Sequence, residues 1–279
     1  MPKYRTMILT FAATLLFIVA FFPVFKTLFN QWSNSDDYAH AFLTVPIIAY
    51  MVWQKRSSLK EKSTAGATSG IVLALISAVI YLLALHARIV FLASIGMVAT
   101  LLGVVAYIQG FPAVKLLSIP FILLLLLIPI PGSIYSATTL PLQLKVSQAS
   151  EVVVRLFDVP IFREGNVLTI PEKTFQIVQA CSGMRSMITL LTLSLIIGYF
   201  TLVGTWSKLV LVFTSIPVAM FVNVIRVVVL ILAFHYYRVD LSVGASHTIM
   251  GLGIFIVALV VLFSIQRIIE RWETRYRKS

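Results

Sequence analysis

The chain has few charged residues for its length. Charged residues make up 11% of its 279 residues and hydrophobic residues 59%, which is far from the composition of soluble domains. We therefore expect an integral membrane protein built from spans of about 20 apolar residues each. The formal net charge of +12 does not predict nucleic-acid binding, because the basic residues collect at chain ends and short loops, where they set membrane orientation.

Acidic residues are scarcer than basic ones, and none of the ten falls within a predicted span. Proton-coupled pumps and aspartyl intramembrane proteases need carboxylates inside the membrane, so the sequence argues against both classes. It also lacks the His-Glu-x-x-His motif of zinc proteases and the Gly-x-Ser-x-Gly motif of serine hydrolases. No Asp-x-Asp pair supports a lipid-linked glycosyltransferase.

Long apolar runs are what the sequence has in abundance. Lys and Arg collect on one side of these runs if both chain termini are cytoplasmic. We therefore predict an all-α polytopic membrane protein with about eight transmembrane helices and both termini inside, forming one integral-membrane domain over residues 1–279. The runs are residues 7–29, 39–54, 70–86, 89–109, 114–130, 183–203, 208–235 and 247–268.

One outer segment is long, residues 131–180, and is predicted to form a small external cap before the sixth span. Residues 134–158 mix apolar and polar side chains, which is typical of an interfacial helix lying on the membrane. Residues 161–170 contain a turn at 164–166 between two β-prone runs, so they predict a β-hairpin. Residues 174–178 can add a third strand to it.

The only cysteine, Cys181, opens the sixth predicted span. A lone thiol forms no internal disulfide. In the first turn of a helix, free backbone N–H groups and the positive end of the helix dipole favour the thiolate. The alternative is a small buried hydrophobic side chain, which is the usual environment of a free cysteine. Cys181 is therefore a candidate nucleophile.

Arg226 is the one ionisable residue well inside a predicted span. A charge at that depth is costly, so it is a functional-site hypothesis, although an arginine that snorkels or pins helices together is the alternative. Asn223 lies three residues earlier on the same helical face. Arg185, one turn after Cys181, is near the interface, where a headgroup contact explains it as well as substrate binding does.

The four histidines, at positions 40, 86, 235 and 247, all fall on the predicted outer side. An interfacial histidine without chemistry is the alternative for each of them. They are scattered over four span ends with no i,i+4 pair, which argues against a metal site, and we expect no metal and no cofactor.

His247 opens the last predicted span, so Cys181, Arg226 and His247 come from the last three spans. Thiolate, cation and imidazole are the parts of a cysteine acyl-transfer site. Counted along the helices, however, Arg226 lies about 10 Å deeper than Cys181. A tilted helix or a cavity reaching the arginine is therefore required.

These residues resemble the exosortase/archaeosortase family of multi-span cysteine transpeptidases, over most of the chain. The Cys-Ser-Gly and Asn-x-x-Arg elements, in this order and topology, are specific to the resemblance. The matching stretches are Tyr38-Ala39-His40-Ala41, the proline-rich end of the fifth span, Leu140-Pro141-Leu142-Gln143, Arg163-Glu164-Gly165-Asn166-Val167, Ala180-Cys181-Ser182-Gly183, Asn223-Val224-Ile225-Arg226 and His247.

The resemblance implies that Cys181 is the nucleophile and that Arg226 and His247 complete the site. It implies membrane-anchored substrate proteins with a C-terminal sorting signal of the PEP-CTERM kind, and transfer to a lipid or glycan acceptor at the cell surface. The protein would lie in the bacterial inner membrane, with its active site facing the periplasm. Four further side chains would bind substrate: Arg185, Asn223, His40 and Tyr38.

A rival hypothesis needs no thiol. A non-enzymatic transporter or lipid-linked glycan carrier would use Arg226 and the outer histidines to hold an anionic headgroup. It predicts that replacing Cys181 leaves function unchanged.

Overall fold

A computed structural model of the chain describes residues 2–35, 37–61, 67–177 and 184–278, without the side chains of residues 2–10, 184–185 and 276–278. The chain divides into two compact units, Met1–Ile130 and Pro131–Ser279. The division coincides with the predicted start of the external cap at residue 131. That residues 1–279 act as one integral-membrane domain stays a prediction.

The regular structure of the first unit consists of helices alone in the residues described. The helices α5 (Thr68–His86) and α6 (Val90–Gln109) pack so closely that a Cβ added to Gly70 would clash with the backbone nitrogen of Tyr107. Small residues at such a crossing let two backbones approach. The helices are α1 (Pro2–Ala20), α2 (Phe22–Asn34), α3 (Ala41–Gln54), α4 (Arg56–Glu61), α5 (Thr68–His86), α6 (Val90–Gln109), α7 (Phe111–Leu116) and α8 (Ser118–Leu126).

The second unit combines long helices with a small sheet. Its elements are α9 (Gly132–Arg155), β1 (Phe162–Glu164), β2 (Val167–Ile170), β3 (Lys173–Gln176), α10 (Met184–Thr201), α11 (Thr205–Tyr237) and α12 (Gly244–Lys278). The strands are antiparallel in the order β1-β2-β3, and Leu168 pairs with Arg163 on one side and Phe175 on the other. The predicted hairpin and its third strand are confirmed.

The hairpin turn is tight because Gly165 adopts a φ of +61°, a left-handed conformation that glycine enters without steric cost. The inner face of the sheet packs against α9 and α11, through Leu168 and Phe175 from the strands, Val146 from α9 and Val228 from α11. The helix predicted at 134–158 is present as α9, and its position on the membrane surface stays a prediction.

The all-α membrane architecture is confirmed, whereas the number of eight spans is not. Four of the described helices are long and apolar enough to cross a membrane, and α1 with α2 makes a fifth candidate, bent by 66°. Two of the remaining runs form shorter pieces: Ala41–Gln54 has 14 residues, and the run at 114–130 is interrupted at Leu117 between α7 and α8. The run at 183–203 begins outside the described residues, which resume at Met184 in α10. Eight spans and the N-in/C-in orientation stay predictions.

Candidate active site

The structure brings Arg226 and His247 together. Arg226 lies in the second half of α11 and His247 in the first turn of α12, and Nη2 of Arg226 is 3.0 Å from Nε2 of His247. An arginine side chain only donates hydrogen bonds, so Nε2 of His247 accepts here. A neutral His247 then carries its ring proton on Nδ1, an assignment that follows from this contact.

The contact depends on a stagger between the two helices. From Arg226 to the end of α11 at Tyr237, the helix rises about 16 Å, but from Gly244 to His247 α12 descends only about 4.5 Å. The C-terminal end of α11 therefore extends past the level of the site. The expected difference in depth between Arg226 and Cys181 stays a prediction, because Cys181 lies outside the described residues.

The surroundings of Arg226 are close-packed. Asn223, one turn before it on α11, is 3% exposed. A Cβ added to Gly251 on α12 would lie 3.8 Å from Nη2 of Arg226, so the helix carrying His247 passes beside the guanidinium. The two helices and their polar residues thus form one packed site in the second unit.

The projecting end of α11 is where the cap attaches. Tyr236 donates its hydroxyl proton to the carbonyl oxygen of Phe157 at 2.8 Å. Glu172, in the turn between β2 and β3, contacts His235 Nδ1 and Arg238 Nη2, both at 3.2 Å. The turn between β2 and β3 is therefore anchored at the C-terminal end of the helix that carries Arg226.

A second ion pair ties the sheet to the loop between α11 and α12. Lys173 Nζ, at the start of β3, donates to Asp240 Oδ2 and to Ser242 Oγ at 3.1 Å. The hydrogen bond from Lys173 and those from Ser242 hold the pKa of Asp240 well below its usual range, at about 2. The loop fixed in this way leads directly into the turn that carries His247.

Asp240→Asn is expected to destabilise the cap in a pH-dependent manner. The folded-state pKa of Asp240, about 2, lies below the ordinary value of 3.8. The carboxylate therefore stabilises the fold above about pH 4, and this contribution is lost as the pH falls through about 2. Hydrogen exchange of the β3 amides should be faster in Asp240→Asn than in the wild type at pH 6, with the difference shrinking toward pH 2.

Asp158→Asn is the matched control for that experiment. Asp158 is exposed, and the change removes the same charge without breaking the Lys173 pair. Equal exchange in the wild type and Asp240→Asn at pH 6, or equal effects of the two variants, would contradict the role given to Asp240.

Asn166 holds the sheet where the chain leaves it. Its Nδ2 donates to Gln143 Oε1 on α9 at 2.9 Å and to the carbonyl oxygen of Ile177 at 3.0 Å. Its own carbonyl accepts the backbone N–H of Ile177 at 2.9 Å. Ile177 is the last described residue before 178–183, so Asn166 fixes the start of the segment that contains Cys181.

Comparison with known proteins gives the family. A family model described as transmembrane exosortase (Exosortase_EpsH) matches residues 32–264, which is well over half of the chain. The chain belongs to the transmembrane exosortase family. No curated protein and no solved structure matches it.

The remaining residues predicted for an exosortase site are placed as follows. Cys181 lies outside the described residues, and of Arg185 only the backbone, in α10, is described. Tyr38 and His40 belong to the first unit. Tyr38 is buried, its hydroxyl accepts the N–H of Ile130 at 3.1 Å, and its ring stacks on that of His40 with centroids 6.3 Å apart.

Of the predicted exosortase residues, Asn223, Arg226 and His247 are thus found in one packed region. Among the residues that the structure describes, no three His, Cys, Asp or Glu side chains meet as a metal site would require. Sequence reasoning gave no role to Lys173 or Asp240. Gln143 and Asn166 entered it only within matching stretches, because short motifs do not reveal which distant side chains they contact.

Proposed function

We propose that this exosortase is a membrane-embedded cysteine protease and transpeptidase. It cleaves C-terminal PEP-CTERM-like sorting signals on the outer side of the cytoplasmic membrane and transfers the protein to a cell-surface acceptor through a thioester on Cys181. The observation that supports this most directly is the 3.0 Å contact between Arg226 and His247. It pairs a fixed cation with an imidazole in the helices that follow the cysteine.

The proposed reaction begins when the Cys181 sulfur attacks the scissile carbonyl carbon. The thiol proton passes to Nε2 of His247, which gives up its hydrogen bond from Arg226 as it is protonated. Arg226 stabilises the negative charge on the sulfur and then on the tetrahedral oxygen. A guanidinium carries five N–H donors in a fixed fork, so the N–H groups released by His247 can face that charge without a change in the position of the side chain.

The carbon–nitrogen bond then breaks, and the leaving amine takes the proton from His247. A thioester between Cys181 and the substrate carbonyl remains. In the second half, His247 removes a proton from the acceptor, the acceptor attacks the thioester carbon, and the thiolate leaves. Arg185, Asn223, His40 and Tyr38 are proposed to bind the substrate.

The proposal is tested by co-expressing the enzyme with a membrane-anchored reporter that ends in a short PEP-type motif, a hydrophobic span and a basic tail. The expected product is the reporter without its tail, with the mass of an added acceptor on the new C-terminus. A product carrying only water would reduce the activity to proteolysis, and an uncut reporter for every signal tested would contradict the proposal.

Asn166→Asp is expected to lower kcat by about tenfold or more. The aspartate carboxylate would face the Ile177 carbonyl, to which Asn166 donates in the wild type. That carbonyl would lose its donor, and an unsatisfied buried acceptor costs roughly 1–3 kcal/mol. Gln143 can keep its bond by rotating its amide, so the change breaks mainly the tie to Ile177. A positioning role predicts a fall in kcat, slower alkylation of Cys181 and little change in KM.

Asn34→Asp makes the same chemical change at a site outside this contact. Its Nδ2 donates to the carbonyl of Asn30 on an exposed helix surface at 2.8 Å. If the two variants have the same kcat and the same alkylation rate, Asn166 does not position the cysteine segment. That result would leave the acyl-transfer proposal itself intact.

A further inference from the structure

A basic pocket lies in the first unit, between α4 and the end of α6. Its volume is about 490 Å³, and its lining residues are Arg56, Leu59, Lys60, Ile108 and Gln109. Both helices belong to Met1–Ile130, so the pocket is formed without any residue of the Arg226–His247 site. Its function is therefore separate from the proposed reaction.

Two cationic side chains, Arg56 and Lys60, lie on the same side of this pocket. Arg56 and Lys60 are four residues apart on α4, so their side chains share one helical face. Arg56 is held in place by Trp53: its guanidinium lies 4.1 Å from the indole centroid, and its Nη1 donates to the Trp53 carbonyl at 3.1 Å. None of the five lining residues is acidic, although Glu61 follows on the next face of α4.

The rest of the pocket is partly apolar. Leu59 is buried, whereas Ile108 is 62% exposed and Trp53, beside Arg56, is 57% exposed. Exposed apolar and aromatic side chains next to cations are typical of the boundary between lipid tails and headgroups. The pocket thus has a charged part and an apolar part.

Gln109 adds a hydrogen-bonding requirement. Its Oε1 is buried and has no hydrogen-bond partner in the part of the chain that the structure describes. A buried acceptor without a partner is costly, and a ligand with a hydroxyl group would satisfy it. The pocket therefore offers two cations for an anion and one acceptor for a hydroxyl.

We propose that this pocket binds the headgroup of an anionic, hydroxyl-bearing glycerophospholipid of the phosphatidylglycerol type. The phosphodiester lies against Arg56 and Lys60, a headgroup hydroxyl donates to Gln109, and the acyl chains run along Ile108 and Trp53. Basic pockets of this kind at the ends of membrane helices bind anionic headgroups. In the orientation predicted from the Lys and Arg bias, the lipid comes from the inner leaflet.

The test is native mass spectrometry of the full-length protein released from nanodiscs that contain phosphatidylglycerol or phosphatidylcholine. The wild type is expected to retain phosphatidylglycerol with an apparent affinity at least about tenfold higher than that for phosphatidylcholine. In the double variant Arg56→Gln and Lys60→Gln, that preference should fall by about tenfold. Arg271→Gln with Arg275→Gln is the matched control, because these two arginines are exposed on α12 and also four residues apart.

The control variant should keep the preference within about twofold. An equal loss in both double variants would overturn the proposal, because binding would then follow total charge. If soluble glycerol phosphate binds the wild type and no lipid is retained, the proposal is also overturned. The pocket would then be a site for a free phosphate ester.

Gln109→Leu tests the hydroxyl contact. Phosphatidylmethanol has the same phosphodiester charge but no headgroup hydroxyl. The wild type should prefer phosphatidylglycerol over phosphatidylmethanol, and Gln109→Leu should bind the two equally. Equal binding of the two lipids by the wild type would overturn the assignment of a hydroxyl-bearing headgroup.

Discussion

Replacing Cys181 by alanine is expected to abolish processing of the reporter, lowering the rate by at least about 10⁴-fold, as removal of a covalent nucleophile does in other acyl-transfer enzymes. The protein level and the thermal unfolding temperature should stay close to those of the wild type, because alanine fits where a cysteine fits. Processing is measured by the mass of the reporter in isolated membranes.

A neutral substitution of the same size elsewhere controls for indirect effects. Ser264→Ala removes one exposed hydroxyl that donates only to the Val260 carbonyl within α12, and it should leave processing unchanged. Full processing by Cys181→Ala would contradict the acyl-transfer mechanism. The non-enzymatic carrier, which needs no thiol, would then be the better hypothesis.

Arg226→Lys is expected to reduce kcat by about 10²–10³-fold, which is the range measured when one donor to a developing oxyanion is removed. Lysine keeps the charge but loses the planar fork. It therefore cannot contact His247 and the oxyanion with the same geometry. His247→Ala should reduce kcat by about 10²–10⁴-fold, because the proton donor and acceptor is lost.

The direct contact between the two side chains makes a stronger prediction. Because Arg226 and His247 are hydrogen-bonded, the double variant should be little slower than the worse of the two single variants, since residues that act as a unit are not additive. Single-turnover rates measured for all four proteins complete the cycle.

Arg271→Lys and His86→Ala are the matched controls for this cycle. Arg271 is an exposed arginine on α12, and His86 is an exposed histidine at the end of α5. Both should retain most of the wild-type activity. Fully additive losses for Arg226 and His247, or wild-type activity in Arg226→Lys, would contradict the proposed cooperation of the two residues.

Much of the second unit follows from local sequence signals. The hairpin at 161–170 was predictable because a Gly-Asn turn between β-prone runs specifies its own register. Arg226 and His247 were expected in one site from the chemistry of acyl transfer and from the family resemblance. Which turn of α12 meets Arg226 depends on the stagger of the helices, which no local pattern encodes.

The cap attachment was not predictable from the sequence. Lys173 and Asp240 are separated by 67 residues, and each is an ordinary surface residue in its own segment. In the same way, the apolar run at 114–130 has the composition of a span, but it is interrupted at Leu117. Apolar composition predicts burial in lipid or protein and does not fix where a helix breaks.

Intact-mass analysis of the enzyme with a peptide substrate tests the central claim most directly. Purified protein is mixed, without acceptor, with a peptide that carries a PEP-type motif followed by a hydrophobic span. The account predicts an added mass equal to the N-terminal fragment, removed by hydroxylamine and absent in Cys181→Ala. If cleaved peptide accumulates while the enzyme mass stays unchanged, and Cys181 is alkylated at neutral pH as slowly as an ordinary thiol, the claim of a thioester on Cys181 is contradicted.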